Sequence, residues 1–421
     1  MSKIFFYIIF AAINIKSIYK LVNMHNTVKV TDKVYWLGVN DRRTQLFENL
    51  WPIPNGVSYN SYLIVDEKIA LVDTLHFNSA DDYLDKIEEL IGKGRSIDYL
   101  IINHMEPDHS GAIKSVVEKY PDVKIVGNLK TFKILESYYG YKEKWYQVED
   151  GDELNLGHHK LKFVMTPWVH WPETMMSYDL TDKILFSGDA FGSFGTLDGG
   201  IFDDEIEFEE YYLEDMRRYY SNIVGQYSNM VQKAFTKLKG VEVKYICSTH
   251  GPIWRKDVNK VLSLYDKWSK FETENGVVII YGSMYGNTAK MADFIARKLS
   301  ENGIKKIRVY DASKTHISYL INEIWQYKGV ILGSSAYNSG MLPTMENLTR
   351  TLEHMGVEKH VLGLFGSYSW NGGGVKALHK FYETIKWDLV SDPIDTKGIP
   401  GDDAYKRCEI LAKAMVEKLK S

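Results

Sequence analysis

Apolar positions along this chain follow two alternating rhythms. Short apolar blocks at 96–103, which is rich in β-branched residues, and at 161–167, 183–188 and 243–248 read as strands, and so do 276–281, 329–333 and 361–365. Between them, apolar residues recur at helical spacing. They do so over 82–91, over 257–271, and through Met291, Phe294, Ile295 and Leu299. Residues 207–238 form a Tyr-rich helical region. Segments 58–65 and 69–73 flank Asp66-Glu67-Lys68 and predict a β-hairpin; 28–37 predicts a first strand and 124–126 a short one. Strands alternating with helices over the whole length predict an α/β protein.

Four strands within the first 250 residues are followed by side chains able to bind metal. After 96–103 comes His104-Met105-Glu106-Pro107-Asp108-His109-Ser110-Gly111. Ser110 is suited to N-cap a helix through Ile113, Val116 and Val117 that stops near Pro121. On an extended or turning segment alternate residues point the same way, so His104, Glu106 and Asp108 converge while His109 turns to the other side. The competing reading is a solvated charged loop. His170, Asp189 and His250 each follow a later apolar strand, and each taken singly is as readily a structural residue. Together they make seven potential ligands, more than one tetrahedral zinc needs and enough for two metals with Asp189 bridging.

The last third repeats a strand, a loop rich in glycine and hydroxyls, and a helix. Strand 276–281 runs into Gly282 and Ser283-Met284-Tyr285-Gly286-Asn287-Thr288, where backbone N–H groups and hydroxyls at a helix N-terminus suit a phosphate. The loop has no Lys and no GxGxxG, so it is neither the nucleotide P-loop nor the dinucleotide fingerprint; the plain alternative is a simple βα turn. Two further loops follow: Ser335-Ala336-Tyr337-Asn338-Ser339-Gly340 and Ser367-Tyr368-Ser369-Trp370-Asn371-Gly372-Gly373. Three such loops at strand C-ends predict a doubly wound parallel sheet with its ligand at that edge. Tyr337 and Trp370 are suited either to stack on a flat ring or to fill core.

Composition narrows the setting. At 421 residues, 45% hydrophobic and 25% charged, the chain has room for two or three domains of ordinary globular type. A formal net charge of −4 calls for neither nucleic acid nor an anionic membrane. The only cysteines, Cys247 and Cys408, exclude a disulfide framework and a four-cysteine metal module, and fit the reducing cytoplasm. Residues 4–13 are apolar and follow Lys3, too short for a confident membrane span though near a signal-peptide core in length. With no small-x-small cleavage site, and with Met24 leading into the first strand, 1–23 is expected to be an extension outside the fold. The expected domains are 24–273 and 274–421.

From about residue 28 to His250 the pattern resembles the metallo-β-lactamase fold, an αβ/βα sandwich with an HxExDH loop and a distant His, Asp and His. The hydrolases of that fold carry His where this chain has Glu106, and a carboxylate there favours iron over zinc. The last third resembles flavodoxin through its Ser283–Thr288 loop. The two in this order resemble the flavodiiron proteins, also called A-type flavoproteins. That resemblance implies FMN on the three loops named above. It implies one iron held by His104, Glu106 and His170 and another by Asp108, His109 and His250, with Asp189 bridging. In some members the residue matching His109 is not a ligand. It further implies reduction of dioxygen to water or of nitric oxide to nitrous oxide, in a head-to-tail homodimer or a dimer of dimers. With two cysteines the chain makes no rubredoxin site, so electrons are expected from a separate rubredoxin or from reduced deazaflavin. The rival readings are a zinc hydrolase with a passive flavodoxin domain, which Glu106 opposes, and an electron carrier with an idle metal domain.

Overall fold

A computed structural model of the chain describes residues 26–420. The extension expected at 1–23 lies outside the described residues. Packing groups these residues into two compact units that do not follow the chain as two blocks. The first comprises residues 26–40, Ser58–Met165 and Met175–Gly188; the second comprises Asp41–Val57, Thr166–Thr174 and residues 189–420.

The first unit is built on a seven-stranded sheet in the order Val28–Lys29, Val34–Trp36, Tyr62–Val65, Ile69–Val72, Tyr99–Ile101, Lys124–Gly127, Trp145–Gln147. The segment read as one strand over 28–37 is instead two, folded back so that Val28 faces Trp36. The turn falls where Thr31-Asp32-Lys33 interrupts the apolar run, and the N–H groups of Val30 and Thr31 both donate to Val34 O. The expected hairpin forms with Val65 opposite Ile69. Tyr99–Ile101 pairs in parallel with both neighbours and is buried throughout. A strand covered on both faces reads as a continuous apolar run. An antiparallel set follows, Glu153–Asn155, Lys160–Met165, Met175–Asp179 and Ile184–Gly188. In Lys160–Met165 the lysines face out while Leu161 and Phe163 are buried, the alternation of a half-covered strand.

An ion pair ties this set together. His159 Nδ1 lies 3.0 Å from Asp179 Oδ2, both side chains buried. Burial pulls the His159 pKa down, but the hydrogen bond and charge of Asp179, with Asp182 and Asp66 behind it, outweigh that and raise it. Burial pushes Asp179 up, yet His159 and the N–H groups of Asp182 and Thr181 hold it below the usual carboxylate range. The raised His contributes stability that is complete below its unfolded pKa, roughly 6.5, and is lost as pH rises through the folded value. The lowered Asp contributes stability that is complete above roughly 3.9 and is lost as pH falls through its folded value. The pair is therefore worth most near pH 5. We expect Asp179→Asn to lower the melting temperature by a few degrees there and by clearly less at pH 9. Equal losses at both pH values, in parallel calorimetric scans, would show that the pair is not ionised.

The second unit holds a parallel sheet in the order Ile307–Asp311, Glu274–Gly282, Tyr327–Tyr337, Val361–Tyr368, the last pairing with both Asp388–Leu389 and Ile394–Lys397. The first strand in sequence is thus internal, and the connections leave it in opposite directions, which opens a crevice at its C-terminal end. Helices Asn287–Glu301 and Asp402–Lys420 pack on each other. They bury Met291, Ile295, Leu299, Leu411, Met415 and Leu419 in one core with Val277, Ile279, Ile331 and Phe365 of the sheet. The Tyr-rich region is not one helix. Leu213–Tyr219 and Ser228–Leu238 are separated by a wide turn, Tyr220–Val224, and a tight one, Gly225–Tyr227. Gly225 is needed there, because a Cβ would come within 2.8 Å of the Trp325 ring. Arg217 Nε donates to Asn322 Oδ1 at 2.9 Å and Trp325 Nε1 to Trp268 O at 3.3 Å, so residues 189–273 pack with the parallel-sheet segment. Among the described residues no helix is long and apolar enough to cross a membrane.

Candidate functional site

In the first unit, strand Tyr99–Ile101 delivers the loop that carries His104, Glu106, Asp108 and His109. Glu106 is extended, with φ −62° and ψ 135°, and Pro107 then starts a single helical turn, Pro107–Ser110. Of the extended or turning segment expected from the sequence, the structure takes the turn. Proline's fixed φ suits the first helical position, and the turn brings His109 back onto the side of Glu106, three residues earlier. His109 therefore does not point away: its ring centre lies 5.1 Å from that of His104. Ser110 does not cap the next helix either. That helix is Ile113–Lys119, preceded by Ala112, while Ser110 Oγ donates to Met105 O at 2.9 Å and meets Tyr139 Oη at 3.0 Å. The loop is pinned again where Thr74 N and Thr74 Oγ1 both donate to His109 O.

His104 Nε2 lies 3.5 Å from Glu106 Oε2, and His109 Nε2 lies 3.6 Å from Asp108 Oδ1. Both separations are longer than a hydrogen bond and lie just beyond the roughly 3.0–3.4 Å at which neighbouring ligands stand on one ion with bonds of about 2.1 Å. His104, Glu106 and His109 are buried, and the Asp108 side chain is 14% exposed. Asp73 was not singled out from sequence. It ends the hairpin strand Ile69–Val72, and its two oxygens accept from Asn103 N at 2.8 Å and Asn103 Nδ2 at 3.0 Å, next to His104. Burial raises its pKa, against the pull of His109, Asn103 and His104. A carboxylate at a strand end was the available signal.

In the second unit, His170, Asp189 and His250 meet. Asp189 is fully buried and has one imidazole on each oxygen: His170 Nε2 is 3.1 Å from Oδ2 and His250 Nε2 is 3.5 Å from Oδ1. Phe47 stands edge-on to the His250 ring at 5.4 Å and Tyr219 lies against it at 5.6 Å, which fixes the ring plane. Thr249 Oγ1 also donates to Asp189 Oδ1, at 2.5 Å, a contact the sequence did not announce. Histidine and carboxylate donors without a thiolate suit iron among the redox metals, and a carboxylate offering one oxygen to each of two imidazole-bearing positions fits a bridge. Another grouping of ligand type, His159, Asp179 and Asp182, is the clasp described above, whose Asp179 carboxylate already accepts two backbone N–H bonds.

The three hydroxyl-rich segments also lie in the second unit, at the C-terminal edge of the parallel sheet. Ser283, Met284, Tyr285 and Gly286 join strand Glu274–Gly282 to helix Asn287–Glu301, which begins with Asn287 and Thr288. Ser283 Oγ accepts from Gly286 N and Ala289 N. Thr288 is buried, and its Oγ1 lies 2.8 Å from Ser367 Oγ. The other two segments are less loop-like than expected. Ser335, Ala336 and Tyr337 are the last residues of their strand, and Tyr337 pairs back onto Gly340 across Asn338 and Ser339, both at positive φ. Ser367 and Tyr368 likewise end strand Val361–Tyr368, leaving Ser369, Trp370, Gly372 and Gly373 in the loop proper. Asn371 Nδ2 donates to Ser339 Oγ and ties the two segments together. Gly373 is required, because a Cβ would sit 2.3 Å from Ser339 O. Ser335 Oγ is buried with no hydrogen-bond partner among the described residues, a polar atom held ready for a ligand. Tyr285 and Trp370 are 90% and 88% exposed, so they are not core, and Tyr337 is 43% exposed. Buried hydroxyls beside exposed aromatic rings fit a phosphate-bearing flat cofactor such as FMN.

Comparison with known proteins divides the chain by sequence, differently from the two compact units. Residues 57–251 match the family described as ODP family beta lactamase, and residues 279–410 match flavodoxin. The anaerobic nitric oxide reductase flavorubredoxin of Escherichia coli K12 is 31% identical over 91% of this chain and 80% of its own length. The structure of rubredoxin oxygen:oxidoreductase from Desulfovibrio gigas superposes with a TM-score of 0.89 at 31% identity, covering 94% of this chain and 99% of that one. The flavodiiron protein of Giardia intestinalis gives 0.88 at 26% identity, covering 94% and 97%.

Proposed function

Because the chain belongs to the flavodiiron protein family, we propose that it is an oxidoreductase that passes electrons from an external donor through FMN to a di-iron centre, reducing dioxygen to water and nitric oxide to nitrous oxide. The observation that carries this reading is the Asp189 carboxylate with His170 on one oxygen and His250 on the other. In this assignment one iron is held by His104, Glu106 and His170 and the other by Asp108, His109 and His250, with Asp189 bridging. His109 belongs in the set because the helical turn returns it beside His104. FMN is assigned to the segments 283–288, 335–340 and 367–373. The metal domain is taken as 24–273 and the flavin domain as 274–421.

When bound, reduced FMN stores two electrons and a diferrous pair stores two, the four that take dioxygen to two waters. The chain's own residues hold and insulate these groups. Pro107 and the Thr74 bonds fix the ligand loop, Phe47 and Tyr219 fix the His250 ring, and burial excludes bulk water from both sets of ligands. Thr288, Ser367, Ser335 and the first turn of Asn287–Glu301 offer hydroxyls and N–H groups to the FMN phosphate.

The donor in this reading is a rubredoxin or reduced deazaflavin, and the location the cytoplasm, which suits a chain with two cysteines, both buried. The assembly is a head-to-tail homodimer, or a pair of such dimers, in which FMN of one subunit serves the irons of its partner. Mixed heterodimers of an FMN-free chain and an iron-free chain should then regain activity that both parents lack. A fully active, strictly monomeric protein would contradict the arrangement.

The function is tested by metal analysis, an absorption spectrum and parallel gas-consumption assays of the reduced protein. We expect two irons and one FMN per chain, and dioxygen consumed faster than nitric oxide. Much faster nitric oxide consumption would reverse the substrate preference. Zinc in place of iron, with no consumption of either gas, would overturn the oxidoreductase reading.

A further inference from the structure

We infer that Thr249 is a positioning residue that holds the Asp189 carboxylate in its bridging orientation and tunes the metal position on the His250 side. The inference rests on reading Asp189 as the bridge of a di-iron centre. Thr249 is 1% exposed and sits between strand Tyr245–Ser248 and His250. Its hydroxyl donates to Asp189 Oδ1 at 2.5 Å, and Oδ1 is the oxygen that faces His250 Nε2 at 3.5 Å; Oδ2 faces His170.

The backbone makes this hydroxyl well placed to act. Ser248 Oγ donates to His250 O at 2.6 Å and Gly251 follows with φ +73°, so the chain turns sharply at the ligand and Thr249 is carried on that turn. A Cβ on Gly251 would come within 3.0 Å of Ser193 N, so the turn is also packed against a neighbouring segment. A β-branched side chain on a fixed backbone has few rotamers, and the Thr249 hydroxyl therefore presents its proton from one direction. A carboxylate rotates about the Cβ–Cγ bond with little resistance; a short hydrogen bond donated to one of its ionised oxygens stops that rotation. Such a bond also draws electron density from the oxygen it reaches. Oδ1, the oxygen serving the His250 position, is therefore both the better anchored and the one whose donor strength Thr249 moderates. Outer partners of ligand carboxylates typically carry 10–100-fold in metal affinity.

The test is Thr249→Val, which keeps the shape and removes the proton donor, beside Thr249→Ser, which keeps the hydroxyl. Iron-loaded protein is titrated with a ferrous chelator, and Mössbauer spectra follow the two irons while FMN is counted by absorbance. We expect the valine variant to retain FMN and one iron while the affinity of the second falls roughly 10–100-fold, and the serine variant to recover most of that loss. Two irons held by the valine variant as tightly as in the wild type would overturn the inference. So would loss of both irons together, or unfolding that serine does not rescue, since a merely structural role weakens both positions alike. Wild-type protein titrated in parallel separates the two questions: fewer than two irons there would defeat the di-iron reading itself, independently of Thr249.

Discussion

Replacing Asp189 by Asn should strip at least one iron from the protein and reduce dioxygen consumption by more than about a hundredfold, while FMN stays bound. Loss of even an outer-shell partner costs 10–100-fold, and Asp189 is assigned as a direct ligand to both positions. Asn keeps the shape but removes the charge, and it turns one oxygen into an NH2 group, a donor where a ligand is needed. Either orientation of the amide then leaves one imidazole, His170 on the Oδ2 side or His250 on the Oδ1 side, without its shared carboxylate oxygen. The bridge is also what keeps the pair near the separation of two-metal sites, roughly 3.5–4 Å. Reduction of the flavin by an artificial donor should persist, because the FMN segments lie between 283 and 373. Iron analysis and stopped-flow flavin reduction on the same preparation check both halves. Unchanged dioxygen reduction in this variant would overturn the di-iron assignment.

The second large effect is expected from Thr288→Asp. Thr288 is buried in the first turn of helix Asn287–Glu301, with its hydroxyl 2.8 Å from Ser367 Oγ. A carboxylate there faces the position assigned to the phosphate. Two unit charges about 4 Å apart at an effective dielectric of about 20 repel by roughly 4 kcal/mol, which corresponds to a roughly thousandfold loss of FMN affinity. Thr288→Val serves as the control for folding: it keeps the volume, removes one hydroxyl and should weaken FMN far less. The purified aspartate variant should be nearly colourless, with its irons in place. Stoichiometric FMN in that variant would show that the phosphate is bound elsewhere.

Much of the candidate site was legible because its side chains are carried at strand ends. A buried strand announces itself as a short apolar block, and the backbone places the polar residue that follows it. His104, Glu106, His170, Asp189 and His250 were all read that way, as was the Ser283–Thr288 cradle. Local context misled where one residue changed the backbone. Pro107 starts a helical turn after Glu106, and so His109 lies on the side of Glu106 and not on the other side as expected. Ser110, with the right composition for a cap, was drawn instead to Met105 O and Tyr139. Ser335 and Ser367 proved to be strand residues, because both strands extend past their apolar blocks into the polar edge.

By itself the sequence determined the types of the main elements, the candidate ligand side chains and the hydroxyl-rich character of the three segments. These depend on periodicity and on residues adjacent in the chain, and both are local. Only the tertiary structure decided which Asp189 oxygen faces which imidazole, that Thr249 reaches Oδ1 across a separation of 60 residues, and that Asn371 ties its loop to Ser339. It also decided that Trp325 closes on Gly225 and Trp268, drawing residues 189–273 onto the parallel-sheet segment. Such contacts form because burial of distant apolar surfaces and satisfaction of buried polar groups are settled for the whole unit at once. No stretch of sequence short enough to show a period contains both partners.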